Sequence, residues 1–430
     1  MSDMQIVLAV AAFMIVMLVW HKVPFGVTTM TCCAILAATG VVNLSTAFSG
    51  FGNKIIVLIA PMLAISAALG KTSLVARLGG MIHKLKGKQG IVLVLAIFVI
   101  GGALCQFIPN TAVLSMMLVF LVTLGNTGEI TLQRIMLPLL GFVSAWKPRF
   151  PIGPGATKFA LINGFYEGII SDPKYMLTML DPFFYALPSM IVLGLFCIFG
   201  WKLMPRSNGE LAGDVNTSAP KENRNAGSLT RGQEIYVFVV FTVMMALMIL
   251  DKWTGLLYLA PATAVLMLLY GGVMKPAETI KAMTADMVWM IAGVLVVADA
   301  LGKTGAGDAI GKLIIGVLGE NPSSLMTMFV FSAVTVIMTT FLSNMGTQAI
   351  LIPIAASMCL TAGWDPRGLM LIIGIANMLA VGFPAGSGEA AVAYAAGGYN
   401  PVKVLPFTLP YIILGIVTCA LTAEFMYPIY

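Results

Sequence analysis

The sequence predicts an all-helical, polytopic membrane protein made of two inverted repeats, each with five spanning helices, a re-entrant hairpin and a broken helix. Three observations lead to this fold class: an apolar composition, long apolar segments that recur along the chain, and motifs that occur twice. Of 430 residues, 59% are hydrophobic and 10% are charged, whereas about a quarter of the residues of a soluble domain are charged. The apolar segments are long enough to cross a hydrocarbon core of roughly 30 Å.

Composition also argues against several classes of function. The net charge of +6 needs no nucleic-acid partner, because the cytoplasmic loops of membrane proteins collect Lys and Arg. All six cysteines lie in apolar stretches without metal-ligand spacing and are expected to be small buried hydrophobes. Neither His21 nor His83 lies in the middle of a span. Because no Ser/His, paired-Asp or His-metal constellation is present, an enzyme is not expected; a polytopic membrane enzyme stays as the alternative from another class.

Three motifs of the first half recur in the second half, in the same order and at nearly one offset. The pairs are Leu-Gly-Lys-Thr at 69–72 and again at 301–304, Phe-Ile-Pro-Asn at 107–110 and Phe-Leu-Ser-Asn at 341–344, and Phe-Pro-Ile-Gly-Pro-Gly at 150–155 and Phe-Pro-Ala-Gly-Ser-Gly at 383–388. One short match arises easily by chance, but three in register do not. The chain therefore contains an internal repeat.

Each half has the same order of segments: three spans, an amphipathic stretch, two apolar arms around a polar tip, a helix broken by Pro and Gly, and a last span. In the first half these are 4–20, 25–43, 54–70, 72–86, 89–108 with 111–125, 131–170 and 183–203; in the second they are 233–251, 255–273, 285–301, 304–318, 322–342 with 345–362, 366–398 and 404–427. Whether the arms cross or re-enter, each half crosses an odd number of times. The second half must therefore lie upside down, as in many secondary transporters.

The distribution of Lys and Arg predicts which side of the membrane each loop faces. With both termini outside and five crossings per half, 15 of the 24 Lys and Arg residues lie inside and 6 outside, and three fall in the first broken helix. This bias agrees with the positive-inside rule. The polar linker at 205–232 is then cytoplasmic, and its composition predicts disorder. We expect a multi-pass protein of the cell (inner) membrane.

The two broken helices are the first candidates for function. Segments 150–155 and 383–388 cannot keep every backbone group hydrogen-bonded within a helix. Such backbone persists at membrane depth only where it is buried in protein or lines a watery cavity. There its carbonyls can coordinate a cation, and the following helix start favours an anion. The alternative is a simple kink without a ligand.

The polar tips between the apolar arms are the second candidates. Residues 106–111 (the first tip) and 339–348 (the second tip) carry amides and hydroxyls that can donate to a carboxylate and accept from a cation. The alternatives are a surface loop, or polar residues that pack helices together. Each tip recurs beside a broken helix, which favours the functional interpretation.

Charged residues within spans are costly and are taken as functional by default. Lys147, Arg149, Lys158 and Glu389 lie in or beside the broken segments. Lys147 and Arg149 either serve the site or extend to the membrane interface. For the deeper residues, we hypothesise that Lys158 pairs with Glu389 or that Lys158 faces an anion.

The paired Asn-bearing tips, each followed by a Gly/Pro-broken helix, resemble those of the divalent anion/sodium symporter family, which belongs to a wider ion-transporter superfamily. The resemblance covers nearly the whole chain. It implies that two Ser-Asn-Thr tips and two broken-helix loops bind a dicarboxylate or citrate between sodium ions. It also implies a homodimer in which transport parts (89–204 and 321–430) move like an elevator against scaffold parts (1–88 and 233–320).

The family motifs fall on specific residues of this chain. Together with the intramembrane charges, they give the expected substrate contacts Asn110, Thr111, Ser343, Asn344, Thr347, Ser387 and Lys158, and the expected ion contacts Gly153, Asn110, Thr339, Asn344, Gly386 and Glu389. The sequence departs from the pattern at Pro109 and Met345, which replace a Ser and a Thr. Cys105 stands in the first half where Thr339 stands in the second.

The expected function is secondary transport of small di- or tricarboxylate-like anions by alternating access, with sodium as the coupling ion and no other cofactor. The expected partners are the anion, the lipid bilayer and a second copy of the chain. Three alternatives stay open: sodium-independent exchange or uniport with Lys158 in place of an ion, transport of an inorganic anion, and cation/proton antiport. Lys158 favours an anion over a cation, because Coulomb attraction is strong in low dielectric.

Overall fold

A computed structural model describes residues 2–20, 22–73, 90–124, 130–147, 149–151, 153–205, 229–318, 322–384 and 387–430. These residues form helices, turns and loops, with no β-strand among them. The all-helical fold class is therefore confirmed. Most of the predicted amphipathic stretch at 72–86 and most of the predicted linker lie outside the described residues.

Both halves present the predicted segments as helices. The first half contains α1 (Asp3–Trp20), α2 (Phe25–Ala38), α3 (Leu44–Ala47), α4 (Lys54–Leu69), α5 (Gly90–Leu104), α6 (Asn110–Leu124), α7 (Leu132–Trp146), α8 (Lys158–Asn163) and α9 (Asp181–Gly200). The second half contains α10 (Arg231–Ile249), α11 (Asp251–Thr254), α12 (Ala260–Tyr270), α13 (Pro276–Met283), α14 (Asp286–Lys303), α15 (Ala306–Leu318), α16 (Ser324–Phe341), α17 (Asn344–Ala362), α18 (Arg367–Ala376), α19 (Gly388–Gly397) and α20 (Leu405–Met426).

Most helix boundaries lie within a few residues of the predicted ones. An exception is the span predicted at 255–273, which begins only at Ala260. The chain first makes the short α11, which ends at Gly255 in the left-handed conformation (φ 64°) that glycine adopts without steric cost. Five of the described helical segments are long and apolar enough to cross a membrane, and eight more are apolar but shorter. The number of crossings per half stays a prediction.

Both predicted helix breaks are present. α7 ends where Lys147 adopts an extended conformation, and the chain resumes in a 3-10 turn, Gly153–Thr157, that leads into α8. α18 likewise passes into a 3-10 turn, Asn377–Leu379, before the chain unwinds. Carbonyls freed by the second break find a partner, because the Tyr394 hydroxyl donates to the carbonyls of Val381 and Gly382. Val381 and Gly382 are buried, whereas Phe383, Pro384 and Gly388 of the same break are exposed, so protein encloses this break only in part.

Helices of one half pack on helices of the other in an exchanged pattern. α2 packs against α14, while their respective counterparts α12 and α4 also pack together. In the same way α7 packs against α19, and their counterparts α18 and α8 are in contact. A two-fold relation between the halves produces this kind of exchange. The opposite orientation of the halves in the membrane stays a prediction.

The Tyr399 hydroxyl links the second half to α7. It donates to the Gln133 carbonyl (2.7 Å) and accepts from the Leu137 N–H (3.2 Å), a pair of groups that would otherwise bond to each other within the helix. Side chains inserted into a helical hydrogen-bond ladder in this way bend the helix. The insertion lies just before Pro138 and fixes α7 relative to the segment that follows α19.

The two halves of the chain approach closely at Gly50. A Cβ at this position would lie 2.0 Å from the Ala292 carbonyl oxygen, and only a backbone shift could make room. Gly50→Ala is therefore expected to destabilise the protein by about 1–3 kcal/mol, the usual cost of overpacking, and to lower the midpoint of thermal unfolding in detergent. Gly52→Ala in the same 3-10 turn is the matched control, since its Cβ would meet nothing within 4 Å. Equal loss in both variants would contradict this account of the contact.

Candidate functional site

The first tip rests on the C-terminal end of α7. The Gln106 side-chain amide donates to the Trp146 carbonyl (2.5 Å) and to the Gly102 carbonyl (3.1 Å). The Cys105 thiol lies 3.1 Å from the Gly102 carbonyl oxygen and 3.5 Å from that of Trp146. The last carbonyls of a helix have no partner within the helix, so the end of α7 offers free acceptors. The Trp146 carbonyl is one of these acceptors, and its hydrogen bond from Gln106 holds the first tip in place.

In the second tip, Thr339, Ser343 and Asn344 form hydrogen bonds within the tip itself. The Thr339 hydroxyl donates to Asn344 Oδ1 (2.6 Å), and the Gly346 N–H donates to Ser343 Oγ (3.0 Å). Ser343 is thus the N-cap of α17, a common role for serine. Ser387 has the same role in α19, where it accepts from the Ala390 N–H (3.1 Å). Both serines, expected as substrate contacts, use their oxygen to cap a helix, and their hydroxyl protons stay available to a ligand.

The first tip lacks these two bonds because of its sequence. Cys105 and Pro109 stand at the positions equivalent to Thr339 and Ser343. Neither offers the hydroxyl that the second tip uses. Asn110 is only 3% exposed, and its Nδ2 has no hydrogen-bond partner in the described part of the chain. The departure from the family pattern therefore leaves a buried amide with unused donors.

Unsatisfied polar groups concentrate at the candidate site. Among the described residues, ten buried side-chain N or O atoms have no hydrogen-bond partner, and five of them lie in the two tips or the first broken segment. These five are Gln106 Oε1, Asn110 Nδ2, Arg149 Nη1, Thr347 Oγ1 and Gln348 Oε1. In folded proteins the large majority of buried polar atoms are paired with protein or water. The cluster marks a place that a polar ligand or ordered water would complete.

The hypothesised ion pair between Lys158 and Glu389 is wrong. Glu389 pairs with Lys147, which directly follows α7, and both side chains are largely buried. The reason is the packing of α7 against α19, which brings the end of one helix to the first turn of the other. A carboxylate is also favoured in the first turn of a helix by the helix dipole. The pair joins the two broken segments, one from each half.

Lys158 lies elsewhere in the cluster. It is the first residue of α8 and is buried, and among the described residues it forms no ion pair. Its ammonium lies within electrostatic range of Arg149 and Lys147. With Lys147 paired to Glu389, the Arg149 guanidinium leaves a positive charge beside the first broken segment.

Arg149 is buried, and the proposed extension to the membrane interface is wrong. The side chain is 5% exposed, and its Nε donates to the Ala145 carbonyl (3.3 Å). The sequence offered one signal: prolines at 148 and 151 prevent Arg149 from sitting at a regular helix end. Gln106 and Gln348 were also missed as site residues, although each lies four positions from its tip asparagine.

The remaining residues that were predicted as substrate or ion contacts lie in both halves of the chain. The first tip meets the second broken helix, because a Cβ on Gly388 would lie 3.5 Å from Thr111 Cγ2. The second tip lies near the end of α1, since a Cβ on Gly346 would lie 4.0 Å from the Leu18 carbonyl oxygen. Gly153 begins the 3-10 turn before α8, against which α4 packs. Gly386 lies outside the described residues.

The atoms available for coordination determine which ions the site can bind. No group of three or more His, Cys, Asp or Glu side chains that could hold a metal ion occurs in the part of the chain that the structure describes. The second tip instead offers neutral amide and hydroxyl oxygens, such as those of Asn344 and Thr339. Oxygen ligands of this kind suit hard cations, sodium among them.

Comparison with known proteins identifies the family. The sequence profile described as "Citrate transporter" matches residues 15–374. The chain belongs to the citrate transporter family. Among curated relatives of this family member, an uncharacterized transporter of Haemophilus influenzae is 24% identical over 415 residues, which cover 91% of this chain and 85% of that protein. An uncharacterized transporter of Synechocystis is 26% identical over 141 residues, only 32% of this chain and 23% of that protein.

Solved structures share the fold. The YdaH transporter of Alcanivorax borkumensis, described as having an unusual topology, superposes with a TM-score of 0.63 at 14% identity, over 96% of this chain and 98% of that chain. MtrF of Neisseria gonorrhoeae, described as illuminating a class of antimetabolite efflux pumps, gives 0.59 at 15% identity, over 90% and 84%. At such identities the likeness shows the fold alone. Membership of the citrate transporter family establishes a multi-pass membrane transporter rather than an enzyme.

Proposed function

We propose that this transporter carries small di- or tricarboxylate anions by alternating access. The observation that carries the proposal is the cluster of five unpaired buried polar atoms at the two tips and Arg149. Three of them, Asn110 Nδ2, Thr347 Oγ1 and Arg149 Nη1, can donate to a carboxylate, and an amide N–H and a hydroxyl beside a guanidinium form a set that recognises carboxylates. The other two, Gln106 Oε1 and Gln348 Oε1, are acceptors that suit a water, a hydroxyl group or a cation.

The charges near the cluster favour an anion. Arg149 carries a buried positive charge, Lys158 is buried nearby, and among the described residues neither forms an ion pair. A cation as substrate would add positive charge beside the Arg149 guanidinium, which low dielectric makes unfavourable. A carboxylate would instead pair with the positive charge already present. Membership in the citrate transporter family supports the same substrate class.

The further features that the resemblance implies are part of the proposal. The transport parts (89–204 and 321–430) move against the scaffold parts (1–88 and 233–320) in an elevator-like manner, and two copies form a homodimer in the cell (inner) membrane. Sodium coupling, where it operates, uses the second tip, whose Thr339 and Asn344 oxygens keep the family pattern. The first tip, with Cys105 and Pro109, is a poorer sodium site.

The test is uptake of radiolabelled succinate, citrate, malate and sulfate into proteoliposomes, with sodium, proton and counter-anion gradients imposed one at a time. Saturable uptake of at least one carboxylate is expected, and competition among the four anions defines the substrate class. Protein-free vesicles are the control. Saturable uptake of sulfate alone, or of none of the four, would remove the carboxylate proposal.

A further inference from the structure

Arg149 is a buried cation without a counter-ion in the described part of the chain. Among the described residues its Nη1 has no hydrogen-bond partner, and its one described hydrogen bond runs from Nε to the Ala145 carbonyl of the preceding helix, α7. The titratable groups nearest to it are neutral hydroxyls and thiols, those of Tyr185, Tyr411, Cys105 and Cys419. Lys158 is also within electrostatic range, and its amine supplies no negative charge.

The surrounding tyrosines do not make up for the missing anion. The Tyr185 hydroxyl donates to the Cys419 carbonyl (3.0 Å) and the Tyr411 hydroxyl to the Gly141 carbonyl (2.8 Å). Each hydroxyl oxygen can still accept a hydrogen bond, but the dipole of a neutral hydroxyl stabilises a buried charge far less than an ionised partner does. Cys105 is part of this environment and precedes the first tip, so Arg149 lies within electrostatic range of that tip as well as of the packing between α9 and α20.

A second buried arginine shows how the chain satisfies a guanidinium that has a structural role. Arg134, on α7, is 6% exposed. Its Nε donates to the Met204 carbonyl (3.3 Å) and its Nη2 to the Lys202 carbonyl (3.2 Å), while the guanidinium stacks over the Trp201 ring (5.2 Å). Within the described part of the chain, Arg149 has no comparable set of partners. This contrast is expected for a guanidinium whose partner is a bound ligand.

The guanidinium of an arginine in a protein stays protonated, so its charge cannot be removed by loss of a proton. A lone charge removed from water is strongly unfavourable unless an opposite charge pairs with it. The state of the carrier in which the site is closed and empty is therefore the costly one. While the site is open to either side of the membrane, water can solvate the guanidinium.

We propose that Arg149 is a further substrate-binding residue, that the transported anion is its counter-ion, and that this requirement makes the carrier an anion exchanger. The inference rests on the proposed function and specifies its coupling. With a dicarboxylate bound, the site can close and reorient; after release, it stays open until another anion binds. Net uptake without a returning anion is then slow, and a sodium gradient does not accelerate it.

The first arm of the test compares vesicles that contain the wild-type transporter and either unlabelled succinate or no anion substrate. Uptake of labelled succinate is expected to be at least about tenfold faster into the succinate-loaded vesicles, which corresponds to 1.36 kcal/mol on the barrier for reorientation. A sodium gradient is expected to leave both rates unchanged. Equal rates in the two kinds of vesicle would overturn the exchange mechanism while leaving carboxylate transport intact. Absence of all carboxylate uptake would instead remove the proposed function, and exchange with it.

The second arm separates substrate binding from a structural role of Arg149, by thermal unfolding in detergent with and without succinate. Arg149→Met is expected to raise the unfolding temperature of the empty protein, because an apolar side chain of similar size replaces an unpaired charge. It is also expected to abolish the shift that succinate causes in the wild type, whereas Arg149→Lys retains part of it. Arg134→Met is the matched control, and it should lower the unfolding temperature. Arg149→Met lowering the unfolding temperature as Arg134→Met does, or keeping the full succinate shift, would overturn the assignment.

Discussion

Transport is expected to fall at least about a hundredfold when Glu389 is replaced by lysine, and to recover in large part when Lys147 is replaced by glutamate in the same molecule. The single change places two cations side by side where the structure has a largely buried ion pair. Breaking a buried pair costs about 3–5 kcal/mol, because the remaining charge is left without a partner. The double change restores opposite charges at the junction of the two broken segments.

The control for this experiment is the other pairing that the sequence suggested. Lys158→Glu combined with Glu389→Lys is not expected to restore transport, since Lys158 and Glu389 form no ion pair in the described structure. Initial rates of carboxylate uptake and the amount of monodisperse protein in detergent are measured for the wild type and all three variants. Rescue by the change at Lys158 rather than at Lys147 would contradict the observed pairing, as would normal transport by Glu389→Lys alone.

Replacement of the two tip asparagines is expected to have the second largest effect on transport. Its effect on stability should differ between the two tips. Asn110→Ala and Asn344→Ala each remove a polar partner of the carboxylate, which is worth about 1.5–3 kcal/mol for a hydrogen bond to a charged group. The half-saturation concentration for uptake should therefore rise about tenfold or more. Asn344→Ala should also lower the unfolding temperature, because Thr339 loses its acceptor. Asn110→Ala should not, since its amide nitrogen has no partner to lose.

Asn43→Ala provides the control for loss of an asparagine outside the site. Asn43 caps α3 by accepting from the Thr46 N–H (2.7 Å). Its removal should cost about 1 kcal/mol of stability and leave the half-saturation concentration for uptake unchanged. Near-normal uptake by both tip variants would contradict the assignment of the tips to the substrate site.

The helices were predictable because their signal is local. A span needs about twenty apolar residues, and Pro and Gly mark the breaks in a helix whatever surrounds it. The tips were predictable for a related reason, since runs of polar side chains between apolar arms stand out at membrane depth. Even the capping role of Ser343 and Ser387 had a signal in the sequence, a serine directly before a helix.

The ionic contacts were not predictable, because they depend on where one helix stops relative to another. Lys147 and Lys158 lie in the same irregular segment, which has no helical period from which to infer the direction of a side chain. The end of α7 at Trp146, together with the packing of α7 on α19, decides that Lys147 reaches Glu389. The burial of Arg149 depends on the same end point and on the aromatic residues of α9 and α20. No pattern in the sequence of this segment predicts the contact of Lys147 with Glu389 or the burial of Arg149.

The exchanged packing of α2 on α14 and of α4 on α12 has a consequence for biosynthesis. When the ribosome has finished the first half, these two helices have entered the bilayer but the surfaces they pack against have not yet been translated. Their contact faces must meet lipid or the insertion machinery until the second half arrives, so the protein cannot mature one half at a time. The N-terminal half is therefore most exposed to misfolding in the interval before the second half has been translated.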